Sequence, residues 1–437
     1  MKEVTIIGGG FAGLSAAVRL CKAGVPVRLL ERRQTLGGRA FSFTDAVTQD
    51  TVDNGQHLFM KCYWATLDFL KHIGAHDDVV FQPNFQIDFR RPKQDPFKLS
   101  FPSFLPSPLN LLVGFLKFGA IHWTDVVPLG YLKRELKKEL AANLSVDQWL
   151  DRCKQKPRMR EAFWDPLCLA ALNEKPQNAS AQHLQTVLRE AFFGQSDGAL
   201  LGYSQKGLSG LFVDRAEDFI TRHGGTIEYG VAIESIDATT KTLGLVLRSG
   251  IQYQTETCIA AIPPPALAKL ISAQIFPDLH RTLHHYIPSP ILSINLWFDR
   301  PIMQEPLCGL IGTKMEWVFN KSALYQKHDR ASPGQVTLVA SAARELVKCS
   351  DQDLITLAIS ELNQTYPDSQ SASLRHAKVI REHTATFTLP LKHRAPSTQT
   401  AHANLLLAGD WTNTGLPATI ESAVRSGYAA ADAILSK

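Results

Sequence analysis

The stretch from Lys2 to Glu31 restricts the fold more than any other, because it reads as a strand, a glycine turn, a helix and a second strand. Val4-Thr5-Ile6-Ile7 is short, β-branched and apolar, as a strand buried on both faces should be. It runs straight into Gly8-Gly9-Gly10-Phe11-Ala12-Gly13, where Gly8, Gly10 and Gly13 fill the pattern G-x-G-x-x-G. Leu14, Ala17, Val18 and Cys21 then recur at helical spacing on one apolar face, and Gly24 followed by Pro26 ends the helix. Val27 to Leu30 is the second strand, with Glu31 at its end.

Each part suits a dinucleotide. Gly8 permits the tight turn, Gly10 removes the side chain that would block a pyrophosphate, and Gly13 lets helix and strand pack closely. With Phe11 and Ala12 they bring backbone N–H groups and the positive end of a helix to the phosphates. Glu31, 18 residues after Gly13, can accept hydrogen bonds from a ribose. The expectation is an α/β chain with a Rossmann-type dinucleotide-binding domain and an α+β second domain.

At 437 residues the chain exceeds one compact core and calls for two domains. A net charge of +5 is mild; it does not suggest nucleic acid and does not oppose an anionic membrane surface. Seven cysteines with no C-x-x-C pair favour reduced thiols and a cytoplasmic setting, without a structural metal. The apolar run after Lys2 is too short for a secretory signal, and no stretch reaches the apolar length of a membrane span.

Beyond Glu31, Arg32 leads to Gly37-Gly38-Arg39. This is either a loop closing over a pyrophosphate, with Arg39 supplying charge, or an ordinary turn with a solvated arginine. Val52-Asp53-Asn54-Gly55-Gln56-His57 follows, and His57, before Leu58, Phe59 and Met60, is either a satisfied core histidine or an acid/base. Near the far end, Asn404 to Ala408 reads as an apolar strand entering Gly409-Asp410-Trp411-Thr412, and Gly415 to Glu421 opens a helix through Ala423, Val424, Gly427 and Ala430. A carboxylate at that strand end can accept from ligand hydroxyls, and the helix start near Thr419-Ile420 favours negative charge.

In this order the motifs resemble the FAD-dependent amine oxidase and phytoene desaturase superfamily. The Asp53 to His57 loop, Phe163-Trp164-Asp165-Pro166-Leu167, Ala171-Leu172-Asn173, Ala385-Thr386-Phe387 and Gly409 to Glu421 most resemble its squalene-associated desaturases, the hydroxysqualene dehydroxylases. The resemblance implies an FAD held by Gly8, Gly10, Phe11, Ala12, Gly13, Glu31, Arg32, Gly38 and Arg39 at the first turn. It also implies Gly55, Gln56 and His57 at the flavin ring, the Val231 backbone at the adenine, and Gly409, Asp410, Thr419 and Ile420 at the ribityl chain and ring. His57 or Gln56 would touch the substrate, a long-chain isoprenoid lipid. Reduced FAD would remove the hydroxyl of hydroxysqualene to give squalene for hopanoid synthesis, drawing on an electron donor that the residues do not name. Rival readings are an isoprenoid desaturase or isomerase, with hydride flowing the other way, and a non-catalytic polyprenyl-lipid carrier. An amine oxidase is disfavoured, because the C-terminal motif holds no cysteine for covalent flavin attachment.

The implied organisation is discontinuous, with FAD-binding parts at 1–82, 205–265 and 397–437 and substrate parts at 83–204 and 266–396. Six prolines between Phe81 and Pro108 read as a break in regular structure. Leu109 to Trp123 is strongly apolar, either a buried core helix or a segment lying in a membrane interface on the inner face of the cell membrane. Lys133 to Glu139 reads as a charged helix. Asp165 and Glu174, the acids nearest the aromatic segment, could titrate in an apolar pocket, although caps and surface pairs are the commoner fate of such residues. Alternation predicts strands at 291–298, 315–319, 336–340 and 378–382, a helix over 350–365, and a strand from Tyr253 to Ile262 ending at Pro263-Pro264-Pro265.

Overall fold

The computed structural model describes residues 2–195, 197–238, 242–325 and 331–436. Its centre is a five-stranded parallel sheet in the order Thr226–Tyr229, Val27–Glu31, Val4–Ile7, Cys258–Ala260, Leu405–Leu407. Three remote stretches of chain therefore share one sheet. Ile7 is level with Leu30 and Ala260, and Ala260 with Leu407, so the glycine turn, Glu31 and the Gly409 motif leave at one edge. That edge, at the carboxyl ends of parallel strands, is where such sheets bind ligands.

Helix Phe11–Lys22 packs on this sheet, and helix Ile420–Leu435 packs on that helix. They run alongside each other in the same direction, with Gly427 against Ala12 and Asp432 paired to Arg19 at 2.6 Å. A Cβ added at Gly427 would lie 2.3 Å from the Ala12 carbonyl oxygen and 2.3 Å from Ser15 Oγ. The two backbones are in contact, and only glycine fits between them.

The second sheet has seven strands in the order Leu374–Thr388, Ile287–Phe298, Gln335–Ala340, Trp317–Asn320, Leu307–Leu310, Phe85–Arg90, Phe97–Phe101. Only the pairing of Leu307–Leu310 with Phe85–Arg90 is parallel. Leu292, Ile294, Leu296, Val318 and Leu338 bury one face under helix Asp351–Thr365. Phe319 and Val339, on the opposite face, join an aromatic cluster containing Phe85, Phe89, Phe101, Phe115, Phe118 and Phe163. The hairpin Ser42–Thr44/Thr51–Asp53 bridges the sheets: Asp45 pairs with Lys378 at 3.1 Å, and Asp50 Oδ2 accepts from Trp297 Nε1 at 2.8 Å.

Several expectations need correction. The proline-rich stretch from Phe81 to Pro108 is not a break, because it carries two strands of the second sheet. Pro83, Pro92, Pro96 and Pro102 lie between or beyond those strands, while Phe85, Ile87 and Phe89 alternate inward. Tyr253 to Ile262 is two strands, one antiparallel to Leu243–Leu247 and one in the parallel sheet, divided at Glu256-Thr257. Pro264 does not merely end a strand; it opens helix Pro264–Leu270. Leu109 to Trp123 is a helix, Leu109–Lys117, then a turn and a second short helix, Trp123–Val126, capped by the His122 side chain. Leu111, Phe115 and Phe118 point into the aromatic cluster, whereas Leu109, Leu112, Leu116 and Trp123 are exposed. The charged helix spans Leu129–Glu135 and so stops before Lys137. Among the described residues no helix is long and apolar enough to cross a membrane.

At an exposed helical position, glycine to alanine is expected to stabilise by up to about 1 kcal/mol. Gly427→Ala should instead destabilise by about 1–3 kcal/mol, since the helices must separate; urea unfolding reads the sign.

Candidate active site

The first turn is built by close approach. A Cβ at Gly8, whose φ is +104°, would meet the Ala261 carbonyl oxygen at 2.5 Å, and one at Gly13 would lie 1.9 Å from the Gly8 carbonyl oxygen. Gly10 is different: its Cβ would find only the Gly38 Cα at 3.8 Å and the Gly37 carbonyl oxygen at 3.9 Å. It leaves a bare surface rather than a tight joint, as an approaching phosphate requires. Leu14 N–H makes the first helical bond, to the Gly10 carbonyl at 2.9 Å, so the N–H groups of Phe11, Ala12 and Gly13 precede the ladder and suit an anion. Gly37 N–H donates to the Gly9 carbonyl at 2.8 Å, folding the second glycine pair against the first turn.

Glu31 is buried, and its two oxygens accept from Gly9 N–H at 2.8 Å and Arg33 N–H at 2.9 Å. Each oxygen keeps a lone pair for a ribose hydroxyl. Val231 sits beside it, giving its N–H to the Glu31 carbonyl at 2.9 Å. The Arg32 side chain is exposed.

The ends of the chain meet at Arg39. Its Nη2 pairs with Asp410 Oδ1 at 2.5 Å, its Nη1 donates to the Ala385 carbonyl at 2.9 Å, and its guanidinium lies 5.4 Å from the Phe387 ring centre. The glycine loop, the last sheet strand and the long strand of the second sheet thus converge on one cation. Asn54 fixes that loop, accepting from Phe41 N–H and donating to the Arg39 carbonyl, both at 3.0 Å. Thr419 caps the last helix by accepting from Ser422 N–H at 3.2 Å, and Ser422 Oγ donates to the Asp410 carbonyl at 3.2 Å. Gly409 N–H donates to Ser426 Oγ at 2.7 Å, so the Asp410 turn and the helix start are one rigid piece.

Gln56 and His57 are half-buried in the loop after Asp53. Burial lowers the His57 pKa, Asp53 opposes this, and Arg39 and Lys321 lower it further, so the imidazole is neutral near pH 7. The fully buried Lys321 donates to Asp53 Oδ2 at 3.1 Å, Gln56 Oε1 at 2.8 Å and Tyr325 Oη at 2.6 Å. Burial alone would raise the Asp53 pKa, but Lys321, Ser42, Tyr325 and Leu208 N–H outweigh it and hold the carboxyl below the usual range. Sequence reasoning passed over Lys321 and Tyr325. The one available signal was a lysine directly after the apolar strand Trp317–Asn320.

Asn173, in a left-handed cap with φ +48°, donates to the Ser289 carbonyl at 3.0 Å and Thr386 Oγ1 at 2.8 Å and accepts from Ala342 N–H at 2.7 Å. It is the joint between the helical segment and the second sheet. Glu174 pairs twice with Arg344, at 2.9 and 2.6 Å; against the effect of burial, these bonds hold its carboxyl below the usual range. Burial raises the Asp165 pKa.

Bare Gly10, the helix start beside it and the buried Glu31 at the same sheet edge fit a dinucleotide. The paired Arg39 and Asp410 extend that surface to the Gln56-His57 loop. The family model for flavin containing amine oxidoreductases matches residues 11–435. Hydroxysqualene dehydroxylase of Sinorhizobium fredii is 28% identical to this chain over 452 residues, covering 100% of this chain and 99% of that protein. The 15-cis-phytoene desaturase of Glycine max is 25% identical over 468 residues, covering 99% and 79%. An oxidoreductase structure from Methanosarcina mazei superposes with a TM-score of 0.76 at 18% identity, covering 100% of both chains.

The two glycine environments predict opposite failures. With flavin removed from both, Gly10→Ala should stay within about 0.5 kcal/mol of the parent in urea unfolding, yet by absorbance it should fail to take flavin back. Gly13→Ala should lose folding stability first, because its Cβ strikes backbone.

Proposed function

Because the chain belongs to the flavin-containing amine oxidoreductase family, we propose that it reductively dehydroxylates hydroxysqualene to squalene. It is an FAD-dependent oxidoreductase. The observation that carries the reading is the convergence of Arg39 and Asp410 at the start of a segment whose Gln56-His57 loop runs on into Leu58 and Met60, packed against the aromatic cluster. Full-length similarity to the dehydroxylases supports the substrate. In this reading residues 1–82, 205–265 and 397–437 hold the cofactor, and 83–204 and 266–396 hold the lipid.

The alcohol is allylic, so breaking its C–O bond leaves a delocalised cation on carbon. The oxygen keeps the bonding pair, takes a proton and departs as water. Reduced FAD, when bound, supplies the hydride that replaces it. Gln56 and His57 orient the hydroxyl, and the proton reaches it through His57. A depressed pKa makes the imidazolium, once formed, a readier donor than an exposed histidine. Leu58 and Met60, half-buried just after the loop and backed by the aromatic cluster, would give the hydrocarbon a dry surface and keep water from the cation.

Such a lipid resides in membranes. Phe104, Leu109, Leu112, Leu116, Trp123 and Val127 are exposed on one short span, with Lys117, Lys133 and Arg134 exposed near them. Burying leucine and tryptophan in the interface while lysines meet anionic headgroups is favourable, so this face would rest on the inner leaflet.

Anaerobic incubation of the reduced holoenzyme with hydroxysqualene should give squalene by mass spectrometry, and incubation of the oxidised enzyme with phytoene should leave the flavin oxidised. Flavin reduction by phytoene would instead favour a desaturase. Leu112→Glu/Leu116→Glu should reduce co-sedimentation with phosphatidylglycerol vesicles at least roughly tenfold; undiminished sedimentation would remove the membrane face.

A further inference from the structure

Lys321 opens the short helix Lys321–Tyr325 directly after strand Trp317–Asn320 of the second sheet, yet its ammonium reaches Asp53 and Gln56 in the N-terminal part of the chain. It is 1% exposed, and Asp53, its ion-pair partner, is 7% exposed. Tyr325, one helical turn on, donates to Asp53 Oδ2 at 2.5 Å while accepting from Lys321. Asp53 is held from its other side by Ser42 Oγ at 2.6 Å and Leu208 N–H at 3.1 Å. The ammonium therefore sits on a fixed base.

A glutamine amide has two nearly isosteric orientations, and only its partners decide between them. Lysine ammonium can donate and never accept. Gln56 must therefore turn Oε1 towards Lys321, as the 2.8 Å contact requires, and Nε2 away from it. One Nε2–H goes to the His57 carbonyl at 3.3 Å; the other is the group that Gln56 presents.

We propose that Lys321 is a positioning residue that locks the Gln56 side chain with its N–H donor facing the flavin and the substrate hydroxyl. This rests on the reading that the Gln56-His57 loop lies beside the flavin. A donor there can meet a lone pair of the departing hydroxyl oxygen or a ring acceptor of the flavin, whereas a flipped amide would present an oxygen, which only accepts and so can donate to neither. The charge on Lys321 makes the choice one-sided, and the buried Asp53 keeps that charge in place.

The test is a double-mutant cycle on the holoenzyme with Gln56→Leu, Lys321→Met and both together. Its readouts are the visible flavin spectrum, the flavin midpoint potential and the separate kcat and KM for hydroxysqualene. Both single variants should shift spectrum and potential in the same direction and lower kcat roughly tenfold with little change in KM, and the double variant should be no worse than either. Lys321→Arg, which still only donates, should recover part of the parent signature. Additive effects would overturn the proposal, as would a parent-like spectrum and potential in Lys321→Met when Gln56→Leu shifts both. No shift in Gln56→Leu would instead remove the loop-beside-flavin reading. If Lys321→Met does not fold, Lys321→Met/Asp53→Asn leaves no buried charge alone and is judged by the same outcomes.

Discussion

The site depends on two helices that touch backbone to backbone at Gly427. Helix Phe11–Lys22 begins at the first glycine turn, and its Ala12 meets Gly427, seven residues into helix Ile420–Leu435. Because the helices run in the same direction, the second starts about 10 Å beyond the first along their common axis, at 1.5 Å per residue. Two positive helix ends thus face the same side of the molecule with an offset. That offset suits a flavin dinucleotide, whose pyrophosphate and ring both gather negative charge and are separated by a ribityl chain. A bulkier residue at position 427 would disturb the relation between the two ends as well as the packing.

Buried charge fixes the remaining relations. Asp53–Lys321 ties the loop that leads to Gln56 and His57 to the helix following strand Trp317–Asn320, and Glu174–Arg344 ties the helical segment to the second sheet. Glu421 accepts from Ala65 N–H, Thr66 N–H and the Thr66 hydroxyl and pairs with Arg425, which in turn pairs with Glu190. Removing such ions from water offsets most of their mutual attraction, so they add little net stability. Their effect is on specificity. Apolar surfaces can slide past one another, but a carboxylate with two or three assigned donors cannot move without leaving one of them unpaired. These pairs sit where remote segments meet, and those are the joints that set how the second sheet and the helical segment stand relative to the glycine turn.

What could be read from the chain was whatever is local. Val4 to Glu31 announced itself because turn, helix face and strand are all encoded within 30 residues, and the Gly409 to Glu421 motif did so for the same reason. The prolines between Phe81 and Pro108 misled because a proline's position relative to a strand, rather than its presence, decides its effect. The break at Glu256-Thr257 was missed because the two strands around it are each apolar enough to continue, and only tertiary pairing assigns them to different sheets. Lys321 lay outside sequence reasoning for a deeper reason. A lysine is ordinarily a surface residue, and nothing near it in the chain indicates that Asp53, 268 positions away, will hold it inside. Arg39 and Asp410 were each expected to serve the cofactor, but that they would also be each other's partners required the fold.

Helix Leu109–Lys117 is apolar on two sides. Leu111 and Phe115 complete the aromatic cluster, with the Phe115 ring 4.8 Å from Phe163 and 5.4 Å from Phe101. Leu109, Leu112 and Leu116 point the other way, where a water-facing helix would place polar residues. Exposing three leucines costs stability unless something covers them, and in the proposed function the cover is the lipid phase in which the substrate is dissolved. On the proposed reading one helix then serves as both the wall of the lipid site and its point of contact with the bilayer. On that reading the substrate would not need to cross water: it would move from lipid tails at the outward face of the helix towards the aromatic cluster behind it. That arrangement would also account for the outward leucines lying over the aromatic cluster rather than over the parallel sheet, where a water-soluble cofactor has no use for a greasy surface.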